Sequence, residues 1–253
     1  MLLIPESITL GGLDCLLFAP KEVRPEGLGV FCDGFGAPGD DLVPLGAEIL
    51  SGPGTEKLAL LFPAAPGSLA DKGMPGGRAW WSLDINRLQT GSPLDAAEMA
   101  GREPPGSAES AASLYEAVTT CSERLDLVPE QVVLGGFSQG AMVAADCAFR
   151  SGVALGGLCF LSGAPLELGR WRLQAEVLAG RSVMQTHGTM DPILPYNGAE
   201  MVRDTLMEAG MKVDFRSFIG GHTIPSEALA ALPGFLRLAC GLGGQRNGRA
   251  VLT

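Results

Sequence analysis

The chain of 253 residues has only two histidines, His187 and His222, and that scarcity bounds its chemistry. None of its six cysteines (Cys15, Cys32, Cys121, Cys147, Cys159 and Cys240) forms a C-x-x-C pair with another. A metal site of imidazole nitrogen and thiolate sulfur is therefore hard to assemble, and no metal is expected. The cysteines lie mostly in apolar runs, which reads as reduced, buried thiols in a cytoplasmic protein. Positive charge is also short. Lys and Arg number 18 against 28 Asp and Glu, for a formal net charge of −10. Such a field repels nucleic acid and anionic membrane surfaces, so neither is expected as a partner. No apolar run reaches the ~18 residues a membrane-spanning helix needs. The first ten residues carry Pro5 and Glu6 and no basic cluster, so they do not read as a secretory signal.

What is present is apolar material in ordered alternation. Hydrophobic residues make up 46% of the chain, ample for a buried core. The length suits one large α/β domain, expected over residues 1–240, with a polar, glycine-rich tail at 241–253 expected to fray. There is no internal repeat. Ile8 to Leu10 and Leu13 to Phe18 read as a hairpin turned at Gly11-Gly12. Leu28 to Cys32, Leu58 to Phe62, Val132 to Phe137, Leu155 to Leu161, Val183 to Thr186 and Val213 to Phe218 read as strands. Helical patterns run from Gln139 to Arg150, Asn197 to Ala209 and Ser226 to Ala239. This alternation predicts a mostly parallel central sheet with helices on both faces.

One long segment breaks the rhythm. Pro63 to Ser107 is rich in Gly and Pro, yet holds Met74, Trp80, Trp81, Leu83, Ile85 and Leu88. Irregular segments of that length inside a domain are usually functional or disordered, and the aromatics favour an ordered, cap-like loop.

Gly136-Phe137-Ser138-Gln139-Gly140 matches G-x-S-x-G. Composition alone would supply such a match about 0.3 times in this chain, so the motif needs its context. That context is an apolar strand running into it and a helical pattern leaving it. A nucleophile elbow requires this strand–turn–helix setting, which exposes the serine hydroxyl at a helix N-terminus.

A serine needs a base, and two histidines are available. His222 lies in Gly220-Gly221-His222-Thr223, a loop following the last strand, where catalytic groups of a parallel sheet collect. Hydrolases with the elbow order their triad Ser, acid, His. Of the candidate acids, Asp204 falls in a helical pattern and Asp214 in a strand. Asp191 alone sits in a strand-end loop, and would orient the imidazole. His187 reads as structural, tying its own loop.

Gly34-Phe35-Gly36-Ala37-Pro38-Gly39 fits G-x-G-x-x-G, so a nicotinamide-dependent oxidoreductase is a live alternative. Against it, Asp40 and Asp41 follow at once, where a pyrophosphate needs a helix N-terminus free of negative charge. The other reading makes this an oxyanion loop, the amides of Phe35 and Gln139 facing the reacting carbonyl.

Together these residues resemble the phospholipase/carboxylesterase family, which includes the acyl-protein thioesterases. The likeness runs from about Leu28 to Leu238. It rests on Gly-Phe-Ser-Gln-Gly at 136–140, His-Gly-Thr-Met-Asp-Pro-Ile-Leu-Pro at 187–195 and Gly-Gly-His at 220–222. Arg78-Ala79-Trp80-Trp81-Ser82-Leu83-Asp84-Ile85 is similar to the family's aromatic-Asp-Ile segment. The resemblance implies an α/β-hydrolase fold and cofactor-free cleavage of small esters or thioesters with an apolar acyl group. Trp80, Trp81, Met74, Leu83 and Leu194 are the candidates to line the acyl pocket, with plain core packing the alternative. Two features depart from the family: Asp33-Gly34 stands where it usually has His-Gly, and the stretch from Leu94 to Pro105 is an enlargement. A non-catalytic binding protein on the same fold and a homodimer both stay open.

Overall fold

The computed structural model describes residues 4–83 and 95–243. The readings made for Asp84, Ile85, Leu88 and the tail beyond Gly243 lie outside the described residues.

The chain opens with an antiparallel hairpin, β1 (Glu6–Leu10) and β2 (Leu13–Phe18). Gly11 turns it at φ +55°, and a Cβ there would lie 2.3 Å from the carbonyl oxygen of Ser113, so only glycine fits. Next come β3 (Gly27–Cys32), helix α1 (Val43–Leu50) and β4 (Leu58–Pro63). A two-residue ladder, Gly67–Ser68 against Arg78–Ala79, and the short helix α2 (Ala96–Ala100) follow. Then come α3 (Ser107–Leu125), β5 (Val132–Phe137), α4 (Gln139–Ser151), β6 (Gly157–Leu161) and α5 (Leu168–Gln174). The series closes with β7 (Ser182–Gly188), α6 (Tyr196–Glu208), β8 (Lys212–Phe218) and α7 (Ser226–Ala239).

The strands form one sheet in the order β1-β2-β4-β3-β5-β6-β7-β8. From β4 to β8 every pairing is parallel, and β2 alone pairs antiparallel on both sides. This is an α/β-hydrolase fold. Both sheet faces are covered, and the alternation along β3 and β4 shows how. Leu28, Val30, Ala59 and Leu61 enter a core shared with Leu114, Cys121 and Phe149 of α3 and α4. Phe31, Leu58, Leu60 and Phe62 point the other way, into a second core with Ile49 of α1 and Leu232 and Leu236 of α7. With both faces buried, every residue of β3 and β4 is buried, which is why they read as unbroken apolar runs.

Helices α1, α2, α3 and α5 were not visible as sequence patterns. The largest of them, α3, buries Ala111, Leu114, Ala117, Val118 and Cys121 on one face. Two alanines, a cysteine and three serines stand among its eight buried residues, which gives a weak apolar signal. The strand expected from Leu155 begins at Gly157, because the Leu155 amide turns back to Val153 at 2.9 Å.

Candidate active site

The candidate residues Ser138, Asp191 and His222 lie past the C-terminal ends of parallel strands, where the crossover topology gathers loops. β5 runs directly into Ser138, whose φ of 56° and ψ of −121° are strained for a residue with a side chain. The flanking glycines make room for the turn. A Cβ on Gly136 would lie 2.5 Å from the carbonyl oxygen of Cys32, and one on Gly140 would lie 2.1 Å from it. The elbow therefore rests backbone to backbone on the end of β3. The Ser138 amide also donates to the Leu161 carbonyl at the end of β6, at 2.9 Å.

Asp191 and His222 lie in the loops after β7 and β8, and those loops are zipped together. The amides of Thr189 and Met190 donate to the carbonyls of Phe218 and Gly220 at 2.8 and 3.0 Å. A Cβ on Gly188 would lie 2.3 Å from the Gly221 carbonyl oxygen, so the close approach needs that glycine. The contact brings His222 Nδ1 to 2.7 Å from Asp191 Oδ2, while Nε2 reaches Ser138 Oγ at 2.8 Å. Asp191 Oδ1 accepts the amides of Ile193 and Leu194, each at 2.9 Å. Burial pushes the Asp191 carboxyl up. The His222 hydrogen bond and the two amides more than offset it, and hold the group below its ordinary range. It is thus ionised and acceptor-only, which fixes His222 with its proton on Nδ1.

His187 is fully buried and close by. Its Nε2 lies 2.9 Å from the Leu194 carbonyl oxygen and 3.4 Å from Asp191 Oδ2. Burial lowers its pKa, so it is neutral and donates Nε2–H to Leu194. Its place is that of a tie for the acid-bearing loop.

Ser138 and His222 open into a cavity of about 190 Å³. Trp81, Leu83 and Leu194 line it, and Phe35 and Gln139 stand on the same wall. Met99 and Met142 also line it, and neither was foreseen. Met142 reads as core in a helix, and Met99 stands on α2, inside the enlarged stretch. A second cavity of about 350 Å³ shares Trp81, Leu83, Met99 and Met142 and reaches Arg102 and Pro105. Trp80 and Met74 line neither cavity. Trp80 points beneath the Gly-rich loop, its indole N–H donating to the Asp33 carbonyl at 3.0 Å. Met74 covers the loop elsewhere: a Cβ on Gly36 would meet its terminal methyl at 2.7 Å. Adjacent residues in extended backbone diverge, which separates Trp80 from Trp81.

Two amides of the Gly-rich loop are spent within the protein. Gly36 donates to Arg78 at 2.7 Å and Ala37 to Gly34 at 3.3 Å. The next helix starts only at Val43, past exposed Asp40 and Asp41, with Pro44 lacking an amide in its first turn. A dinucleotide phosphate would find few donors there. Among the described residues, no group of three His, Cys, Asp or Glu is arranged to hold a metal ion. No described helix is long and apolar enough to cross a membrane.

Known proteins resemble this chain in sequence and in fold. An acyl-protein thioesterase 1 of Gibberella zeae is 31% identical over 122 residues, 44% of this chain and 49% of that protein. The acyl-protein thioesterase 1 of Eremothecium gossypii is 34% identical over 113 residues, 43% and 47% of the two chains. The chain thus spans about half the length of the curated relatives it matches. Among solved structures, esterase PE8 superposes with a TM-score of 0.75 at 22% identity, over 93% of this chain and 99% of that one. A Bacillus cereus carboxylesterase gives 0.67 at 18% identity, over 90% and 94%. At those identities the superpositions speak for the fold. The phospholipase/carboxylesterase family model matches residues 14–240, nearly all of the described fold, and the chain belongs to that family.

Proposed function

We propose that the chain is a serine hydrolase that cleaves carboxylic esters or thioesters through an acyl-serine intermediate. The observation that carries this reading is the unbroken line Ser138 Oγ, His222, Asp191, with contacts of 2.8 and 2.7 Å at the floor of an apolar cavity. In the first step Ser138 Oγ attacks the acyl carbon while its proton passes to His222 Nε2. Asp191 stabilises the imidazolium so formed. The amides of Phe35 and Gln139 receive the oxyanion. The tetrahedral adduct collapses, the bond to the leaving group breaks, and His222 gives that group the proton. Water, deprotonated by the same imidazole, then releases the carboxylic acid and restores Ser138.

The cavity favours a substrate with an apolar acyl group, met by Trp81, Leu83, Met99, Met142 and Leu194. Six buried, unpaired thiols suit a reducing, cytoplasmic setting. Hydrolysis of p-nitrophenyl esters and acyl thioesters from short to long chain, with no cofactor added, tests the reaction. Labelling by a fluorophosphonate that is lost in Ser138→Ala tests the nucleophile. Turnover that demands nicotinamide, or an unlabelled and inert wild type, would overturn the proposal.

A further inference from the structure

We propose that Asp33 is a positioning residue for the oxyanion loop, and that it acts with its carboxyl uncharged. This rests on the acyl-transfer reading above. Asp33 follows β3 and immediately precedes Gly34 and Phe35, both on the cavity wall. It is 2% exposed. Its own peptide is wedged in place. The carbonyl oxygen takes the Trp80 indole N–H, and a Cβ on Gly140 would lie 2.4 Å from that same oxygen. A shift of the Asp33 peptide would therefore be felt at once by the elbow and by the Phe35 amide.

The carboxyl is poorly provided for as an anion. Oδ1 accepts the Ala65 amide at 3.2 Å, and Oδ2 has no partner among the described residues. The groups around it are few. Arg78, on the two-residue ladder, is the nearby cation, but its Nε donates to the Ala65 carbonyl and its Nη2 lies 3.4 Å from Asp14 of β2. Asp41, on the approach to α1, is a like charge. The neighbouring Cys32 thiol is itself pushed well above its usual range, by burial first and then by Asp33. Burial and Asp41 outweigh the amides of Ala65 and of Asp33 itself and the charge of Arg78, and push the Asp33 carboxyl up to about 7.

A neutral carboxyl needs less from its surroundings and can stay buried where it is, facing the Ala65 amide and its own. An ionised one demands further donors, and the way to reach them is to move the 33–35 backbone toward solvent. The displaced Phe35 amide would then meet the oxyanion badly. Ground-state binding would change little, because that contact is made fully only in the transition state.

The test is the pH profile of kcat for wild type, Asp33→Asn, Asp33→Ala and Asp41→Asn, with Ser138→Ala as control. Wild type should show an acid limb, because the reaction needs its base unprotonated. It should also show an alkaline limb falling roughly tenfold per pH unit above about 7. Asp33→Asn, permanently neutral, should keep the acid limb and lose the alkaline one. Asp33→Ala should lower kcat about tenfold or more at every pH, with KM little changed. Asp41→Asn alters an exposed residue, and removing its like charge should move the alkaline limb to lower pH. That keeps the idea testable even if the Asp33 variants fold poorly. A wild-type profile that climbs to one plateau, superimposable on Asp33→Asn and unmoved in Asp41→Asn, overturns the inference while leaving the hydrolase reading intact. Full activity in Ser138→Ala overturns both.

Discussion

The side-chain amide of Gln139 donates to the carbonyl oxygen of Trp81 at 3.0 Å, so the residue after Ser138 grips the wall of the cavity into which Ser138 opens. Its Oε1 takes the Trp80 amide, also at 3.0 Å, which makes the grip two-pronged. Gln139 is 2% exposed, so neither bond has water to replace it.

Gln139→Leu should leave the Trp80 amide and the Trp81 carbonyl buried and unpaired, at about 1–3 kcal/mol each. Thermal melts should show the loss. Across an ester series, kcat/KM should depend less on acyl length, because Trp81 is no longer fixed. Gln139→Glu keeps the acceptor for Trp80 and should fall between. Unchanged selectivity in a destabilised Gln139→Leu would reduce the clamp to a purely structural role.

The two tryptophans should separate cleanly. Trp80→Ala removes a core side chain and the donor to Asp33, and should cost roughly 3–5 kcal/mol of stability. Trp81→Ala should flatten the gain in kcat/KM per added methylene, worth up to ~0.8 kcal/mol where the methylene is buried, while sparing the shortest esters. Equal effects of both on melting and on chain-length preference would refute the division.

Stability should carry two opposed pH signatures. Asp33 titrates near 3.8 when unfolded and at about 7 when folded. The native state thus holds a proton that the unfolded chain releases, and stability falls as pH rises from about 4 to about 7. Asp33→Asn removes that slope. Its melting temperature should match wild type near pH 4 and exceed it increasingly up to neutrality. Asp191 works in the other sense, since its folded pKa is depressed. Its contribution is present at neutral pH and is lost as pH falls through the folded value. A melting difference between wild type and Asp33→Asn that does not vary with pH would contradict the assignment.

Ser138→Ala, His222→Ala and Asp191→Asn should each lower kcat by roughly 10³ or more without unfolding the protein, and double substitutions should add little. His187→Gln is the contrasting case. It should weaken the loop that carries Asp191 and lower the melting temperature, with a far smaller loss of kcat. A ranking in which His187 matters more than His222 would reverse the choice of base.

The strands were legible in the sequence because parallel strands buried on both faces leave continuous apolar runs, as β3 and β4 do. Ser138, Asp191 and His222 were picked out for a related reason: each lies just past the C-terminal end of a parallel strand, where the functional groups of such a sheet collect. The helices escaped where their buried faces are small, as along Ala111, Ala117 and Cys121 of α3. Trp80 and Trp81 could be named together but not told apart. Their difference depends on Gln139 and Asp33, 59 and 47 residues away in sequence. Met99 stayed hidden because only the fold brings α2 beside Ser138, where Met99 reaches the cavity wall.

The conformation of Ser138 sets a direction for any attempt to stabilise this protein. At φ 56° and ψ −121° the position suits glycine, so the backbone there is held by its surroundings against its own preference. A sequence optimised for folding alone would place glycine at 138 and recover on the order of 1 kcal/mol. On the proposed acyl-serine mechanism, the resulting protein would melt later and turn nothing over. The serine hydroxyl is present at the elbow only at the expense of the fold, and selection for thermal tolerance without selection for turnover will drift toward losing it.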